Sequence, residues 1–469
     1  MEIKINNQNL EYFAGEIILD VCQRNEIKVP TLCNMKKVHE GVCRLCVVEA
    51  GGRLVTSCNT KVADGMEIVT ESEQISRARK INLELLWADH AGKCITCKKN
   101  RRCELQNLAG TNRMDIFSFV PKKEELTSQE ELDLLKDNRM RVVVDEANAA
   151  ISRTTELCVE CRHCINVCPT QEFSFNYRAG DVVVGTPYEK PLDCIFCGQC
   201  VKHCPTGAIT DKNDLTEIIA QLDDANKLAI ALWDPALRES VSLEQPEIDS
   251  ERKLIGTLKA IGFEVVLDLR FGMELFLSET QKAIQKNPQN NLILSHCPAL
   301  NLYIKKYYPQ FQKNILDVLT PEELMAQWIK THYAQKHKIN PANVVVIAIS
   351  ACTAKKIKKD ASLNYVLTMR ELGRIIRQKN VKLAEVTGDE FSRDLAVKNK
   401  AVEKMVHCGG AAELLAKSLQ CEYVVANEVK TIKKLLDNLS KKRIQTKIIE
   451  VMICPGGCVG GGGQSKQIL

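Results

Sequence analysis

One cysteine pattern occurs twice in this chain. Cys158-Val-Glu-Cys161-Arg-His-Cys164-Ile-Asn-Val-Cys168-Pro169 is followed 36 residues later by Cys194-Ile-Phe-Cys197-Gly-Gln-Cys200-Val-Lys-His-Cys204-Pro205. Thiolates are the soft ligands that iron–sulfur clusters select, and in a doubled run of this spacing the fourth cysteine of each run serves the other cluster. One 4Fe–4S cluster is therefore expected on Cys158, Cys161, Cys164 and Cys204, and a second on Cys194, Cys197, Cys200 and Cys168. Upstream, Cys33, Cys43, Cys46 and Cys58 lie among Gly41, Gly51 and Gly52. Buried core cysteines do not gather around glycine turns, whereas the four thiolates of a 2Fe–2S cluster need such permissive backbone. Between these motifs stand His90, Cys94, Cys97 and Cys103, a set that taken alone suits tetrahedral zinc as well as a 4Fe–4S cluster. Its place among cluster motifs favours the cluster, and an imidazole ligand, by removing negative charge, raises the cluster's potential.

Four further cysteines occur in three separate contexts: Ser295-His296-Cys297-Pro298, Ala351-Cys352-Thr353-Ala354-Lys355-Lys356, and Glu450-Val-Met452-Ile-Cys454-Pro-Gly456-Gly457-Cys458 with its following glycines. The first two follow apolar runs that read as strands. In open α/β sheets the ligand crevice lies beyond the carboxyl ends of strands. Separate strand ends are thus expected to bring Cys297, Cys352, Cys454 and Cys458 to one 4Fe–4S site, with glycines admitting the backbone close to an inorganic cluster. Cys22 and Cys421 read as core residues, and Cys408 as core or a neighbour of the pocket.

The elements that must position these groups change along the chain. Glu2–Ile5 alternates like a strand before an Asn6-Asn7 turn, and 17–27 and 75–90 have helical spacing. From about residue 226 apolar strands alternate with amphipathic helices. Candidate strands are 228–233, 265–269, 292–295, 344–349 and 423–426, which argues for an α/β domain with a largely parallel sheet. The expected organisation is a 2Fe–2S β-grasp domain over 1–75, a His/Cys3 4Fe–4S domain over 76–115 and a linker over 116–150. A two-cluster domain over 151–215 and an α/β domain of parallel sheets flanked by helices over 225–469 complete it.

Sixteen of the 22 cysteines lie before residue 205 and six after. A net charge of +5 is small for 469 residues, and no nucleic-acid partner is expected from it. Neither a secretory start nor a membrane-length apolar run is evident, so a cytoplasmic chain that does not span a membrane is expected, with its cysteines reduced. Lysine runs such as Lys355-Lys356 and Lys433-Lys434 read as solvated helix faces.

Residues 1–210 resemble the N-terminal part of the large iron–sulfur subunit of respiratory complex I, and equally the front of FeFe hydrogenases, with residues 151–210 of bacterial ferredoxin type. The three later cysteine segments resemble the three signature loops of FeFe hydrogenases. Phe271-Gly272, Leu367-Thr368-Met369-Arg370-Glu371-Leu372 and Gly409-Gly410 match as well. The resemblance implies an H-cluster: a cubane on the four cysteines joined through Cys458 to a diiron unit with CO, cyanide and a dithiolate bridge. It places Lys355 at a cyanide, Met452 against the diiron unit, and Gly456 and Gly457 in the cofactor loop. The chain also departs from the family. His296 stands where the relay cysteine belongs, Ser350-Ala351 replaces Met-Pro, Lys358 and Lys282 replace relay glutamates of which Glu279 is retained, and Ala236 replaces a serine. Imidazole still shuttles protons near neutral pH.

The resemblance implies an iron–sulfur oxidoreductase interconverting H2 with protons and electrons, with His296, Lys355, Glu279 and Met452 at the catalytic site. About 18 iron atoms are expected without the diiron unit and about 20 with it. It implies docking to a redox protein, or to flavin-containing NAD(P)H or formate-oxidising subunits, within a multi-subunit complex. The alternative is a non-hydrogenase electron-transfer, sensory or assembly subunit that keeps the cubane with altered or absent diiron chemistry.

Overall fold

The computed structural model describes residues 1–35, 41–88, 90, 93–95, 97–115, 144–145, 147–178, 181–185, 193–212, 214–238, 240–241, 248, 250–357 and 360–465. Lys358 and most of the expected linker lie outside the described residues. The chain forms two compact units, one of Met1–Glu146, Ser152–Leu192 and His203–Thr210, the other of Ala147–Ile151, Asp193–Lys202 and Asp211–Leu469.

In the first unit, β1 (Glu2–Ile5) turns through Asn6 and Asn7 into β2 (Gln8–Glu11). Both asparagines take positive φ, 49° and 67°, as a tight hairpin turn requires. With β3 (Val47–Ala50), β4 (Arg53–Thr56) and β5 (Glu67–Val69) they form a five-stranded sheet of order β2-β1-β5-β3-β4, in which only β1 and β5 pair in parallel. Helix α1 (Ile18–Arg24) is shorter than the expected 17–27 and buries Ile18, Val21 and Cys22 against Ile3, Ile5 and Ile68. Helix α2 (Glu73–Ala88) sends Arg79 back to the carbonyls of Val47 and Thr70, and α3 (Glu104–Thr111) begins at Cys103. Short strands follow: β6 (Val144–Asp145), β7 (Ile151–Thr154), the hairpin β8 (Ser174–Arg178) and β9 (Asp181–Gly185), and β10 (Ile209–Asp211).

The repeat is visible in the backbone. Helices α4 (His163–Val167) and α5 (Gln199–His203) are offset by the 36 residues that separate the cysteine runs. Left-handed residues recur at the same offset, Glu160 and Arg162 in the first copy, Phe196 and Gly198 in the second. These bends turn amide N–H groups onto sulfur: Glu160 N lies 3.4 Å from Cys158 Sγ and Phe196 N 3.2 Å from Cys194 Sγ.

The second unit holds two parallel sheets. One has order β12-β11-β14-β15, from β11 (Leu228–Trp233), β12 (Val265–Asp268), β14 (Val344–Ile349) and β15 (Tyr365–Leu367). The other has order β13-β17-β16, from β13 (Leu292–Ile293), β16 (Tyr423–Asn427) and β17 (Ile448–Met452). β11 and β14 are continuous apolar runs because parallel strands are covered on both faces. β13 ends two residues before the expected Ser295, since Ser295 Oγ donates to Val318 O and Ser295 O accepts from Asn301 Nδ2. Around the sheets lie α6 (Leu215–Asp223), α7 (Glu251–Ala260), α8 (Arg270–Lys286), α9 (Pro298–Tyr307), α10 (Pro321–Trp328), α11 (Met369–Gln378), α12 (Gly410–Leu419) and α13 (Glu428–Ser440).

Candidate metal centres and the pocket of the second unit

All 22 cysteines are free thiols, and in the first unit they gather in three places. Cys33 and Cys43 share a hydrogen bond, as do Cys46 and Cys58. Each pair holds one member down, Cys43 at about 6 and Cys46 at about 7, and pushes the other up. A side chain at Gly41 would put its Cβ 2.6 Å from Asn59 Nδ2, and Gly41 has φ +64°. His90, Cys94, Cys97 and Cys103 line one cavity together with Gly207, where a Cβ would meet Cys97 Sγ at 2.5 Å. Burial, helped by Lys93, lowers His90 to about 4, so its imidazole is neutral, and its Nε2 is buried without a hydrogen-bond partner. A neutral, unpartnered ring nitrogen among three thiols is what a fourth metal ligand requires.

Cys158, Cys161, Cys164 and Cys204 line a third cavity. Burial first, and the neighbouring Cys204 thiol next or shortly after, raise Cys158 to about 11 and Cys164 to about 12, and hold Cys161 well above its ordinary value. Cys168 also lies in the first unit, whereas Cys194, Cys197 and Cys200 lie in the second. Among the described residues no three such side chains converge closely enough to hold a single metal ion.

In the second unit the ends of β13, β14 and β17 deliver Cys297, Cys352 and Cys454, and the loop after β17 returns with Cys458. Burial raises all four thiols, Cys352 to about 12 and Cys454 to about 11. Cys297 acts on Cys352, Cys454 and Cys458, and the Lys355 ammonium lowers Cys297, Cys352 and Cys458. Four thiols buried in mutual range resist ionisation unless positive charge is bound among them, and iron supplies it. The donor set therefore fits a cubane.

The loop carrying Cys454 and Cys458 is held by backbone. Asn427 Nδ2 donates to Met452 O and Cys454 O at 2.9 and 2.6 Å, and its Oδ1 accepts from Gly456 N at 2.7 Å. Gly456 and Gly457 have φ of +73° and +109°, and a Cβ on Gly457 would meet Cys408 N and Val406 O at 2.6 and 2.7 Å. Protein backbone thus already requires glycine at Gly457. Arg370 grips Asp211 with two nitrogens (2.9 and 2.7 Å) and donates to Gly462 O at 2.7 Å and to Gln464 O. The second cysteine run packs on the same loop: Gln199 Nε2 donates to Gly460 O at 2.9 Å, a Cβ on Gly198 would collide with Thr353, and Cys197 feels Cys454.

Lys355 and Lys356 are buried, not the solvated pair expected of a lysine run. Lys356 Nζ donates to Glu371 at 2.8 Å and Asp214 at 3.0 Å. Lys355 Nζ donates to Glu322, on the first turn of α10. Burial opposes the Lys355 ammonium, but Glu322, Cys458, Asp234 and Cys352 outweigh it and hold the group well above its ordinary value. Asp234 accepts from Ala236 N, Ser350 Oγ and Ala351 N at 2.9, 3.1 and 3.2 Å, so Ser350-Ala351 is anchored in place of the usual Met-Pro.

His296 is buried, its Nε2 3.5 Å from the carboxylate of fully buried Glu450 on β17. Met452, also on β17, is buried. Glu279 is placed differently: it stands on the exposed side of α8, 2.8 Å from Lys282, with its side chain 47% exposed. Sequence reasoning missed Glu322, Asp234 and Glu450 as members of the pocket. For Glu450 a signal existed, since a lone carboxylate inside the apolar run Ile448-Ile449-Glu450-Val451-Met452 has to be buried for a reason.

The profile of the iron-only hydrogenase large subunit, C-terminal domain, matches residues 227–462. A 2Fe-2S iron-sulfur cluster binding domain matches residues 1–73, an NADH-ubiquinone oxidoreductase-G iron-sulfur binding region 79–116, and a 4Fe-4S dicluster domain 157–208. An NADP-reducing hydrogenase subunit of Solidesulfovibrio fructosivorans is 27% identical over 99% of this chain and 88% of its own length. Iron hydrogenase 1 of Clostridium pasteurianum is 25% identical over 98% and 88%. The cytosolic iron-sulfur assembly component 3 of Rattus norvegicus is 25% identical over 58% of this chain and 71% of its own. Among the described residues no helix is long and apolar enough to cross a membrane. With its hydrogenase domain matched across half its length and cluster-binding domains matched before it, the chain is an iron–sulfur oxidoreductase belonging to the iron-only hydrogenase large-subunit family.

Proposed function

We propose that this chain interconverts H2 with protons and electrons at an H-cluster held by Cys297, Cys352, Cys454 and Cys458. The observation that carries the reading is the charge built around Cys458. Lys355 is buried and ionised beside Cys352 and Cys458, with Glu322 and Asp234 completing its surroundings. A four-thiolate cubane is itself anionic, and a cation set beside Cys458 in particular suits a further anionic diiron unit joined through that thiolate. When bound, the H-cluster supplies the site at which H2 is split or formed. The chain's own residues do the rest. Lys355 offers an N–H donor to the anionic ligands, Met452 packs against the group, and His296 receives or returns the proton.

Electrons leave by clusters taken in order along the chain: the one on Cys194, Cys197, Cys200 and Cys168, the one on Cys158, Cys161, Cys164 and Cys204, the His90 cluster, and the 2Fe–2S centre. That makes one 2Fe–2S and four 4Fe–4S groups including the cubane, or about 20 iron atoms with the diiron unit. Contact of Cys197 and Gln199 with the loop of Cys454 supports the first step. A flavin-containing, NAD(P)H-linked subunit in the cytoplasm is the partner we infer, in keeping with the Solidesulfovibrio relative, an NADP-reducing hydrogenase subunit. H2 uptake with a viologen dye tests the reading: loaded protein that holds metal-bound CO and cyanide but reduces no dye contradicts it. A second reading, a non-hydrogenase that keeps only the cubane, is favoured by His296 and Ser350-Ala351 at altered loop positions, and predicts no such ligands.

A further inference from the structure

Three buried polar atoms face a common problem beside Cys297. His296 Nδ1 and Nε2 and Glu450 Oε1 are all shielded from solvent and none has a hydrogen-bond partner. The nearest complement to Glu450 Oε1 is the ring: Nε2 lies 3.5 Å away. Glu450 cannot turn from it, because its other oxygen accepts from Ala412 N at 2.7 Å, in the first turn of α12. The ring is confined as well, by the edge-to-face Phe276 ring at 5.3 Å and 68°. An orphaned buried acceptor is costly, and a slight ring movement relieves it.

We propose that Glu450 is a positioning residue for His296: it fixes the tautomer of the ring, with the hydrogen on Nε2. A carboxylate only accepts, so the ring nitrogen facing it must carry the hydrogen, and Nδ1 is left with the free lone pair. A carboxylate orients imidazoles in this way beside metals and in catalytic triads. The inference deepens the role proposed for His296: if that ring handles the proton, Nδ1 is the atom that takes it.

The isosteric variant Glu450→Gln gives a sharp test. Ala412 N–H requires an acceptor, so the amide oxygen stays on that side and the amide NH2 faces the ring. It then donates to Nε2, and the tautomer switches to Nδ1–H. Isotope-edited infrared spectra of histidine-labelled holoprotein report the imidazole ring stretch, which differs between the two tautomers, and subtraction of His296→Ala assigns the band. The expected result is an Nε2–H band in the parent and an Nδ1–H band in Glu450→Gln. An Nδ1–H band in the parent, or the same band in both proteins, overturns the proposal. H2 turnover in the variant is expected to fall about 10–100-fold. A switched band with unchanged turnover upholds the pairing but removes His296 from the proton route, so the two ideas fail separately.

Discussion

The cavity of Cys158, Cys161, Cys164 and Cys204 and the pocket of Cys297, Cys352, Cys454 and Cys458 present similar thiols, with burial raising Cys158, Cys161 and Cys164 in the one and all four in the other, yet their surroundings differ. Around the first, three ligands come from one short turn and helix α4, and the Glu160 amide points at sulfur. The ionisable groups among the described lining residues there are Arg153, Arg162 and the buried His163, with no carboxylate among them. Around the second, ligands arrive from three strand ends, and the walls hold buried ionisable groups: Lys355 with Glu322, His296 with Glu450, and Asp234. Buried charge is costly, and an apolar wall of similar volume is often as stable or more so. A centre that only passes electrons has no use for a buried carboxylate paired with a lysine or a histidine. One that moves protons does, and on the proposed reading this difference separates conduction from chemistry.

The sharpest way to break the comparison is to remove one thiol from each place. Cys458→Ala should abolish H2 turnover and the infrared bands of bound CO and cyanide. Cys204→Ala should lower iron content by about four atoms and slow electron delivery, leaving those bands in place. Loss of the bands in Cys204→Ala would mean the two regions are not independent. Next in size, His296→Ala should reduce turnover by about 100-fold or more with the bands retained, as loss of a general acid–base group does. Turnover at the parental rate would exclude the imidazole.

Breaking the buried pair tests whether Lys355 is held by Glu322. Glu322→Ala strands an ammonium and should cost about 3–5 kcal/mol in denaturant unfolding, with Lys355→Met in the same chain recovering much of it. Additive losses would show that the two side chains do not depend on each other. The smallest effect belongs to the surface. Lys282→Ala removes an exposed pair with Glu279 and should change stability by no more than about 1 kcal/mol. Turnover should stay within about twofold, since a general acid–base role would have cost about 100-fold or more. A larger fall would draw Glu279 and Lys282 into the proton route.

Legibility followed the same division. The doubled cysteine run could be read because its ligands are local, and the 36-residue offset reappears in helices and left-handed bends. Strands β11 and β14 matched their apolar runs because both are buried on both faces, whereas β13 was overestimated because side-chain hydrogen bonds at Ser295 end its ladder early. The pocket's second tier was not legible. Glu322 belongs to a capped helix start, Thr320-Pro321-Glu322-Glu323, a pattern that normally faces solvent, and only tertiary packing reveals that Lys355 meets it. Lys355-Lys356 misled for the converse reason, since acidic partners distant in sequence bury both lysines.

On the proposed reading the charged pocket serves a diiron unit at Cys458. Infrared spectroscopy of protein produced together with the maturation proteins tests it most directly, because metal-bound CO and cyanide absorb where polypeptide does not. Those bands are expected, with a shift on exposure to H2. Fully iron-loaded protein without them, holding about 18 iron atoms, would contradict that reading.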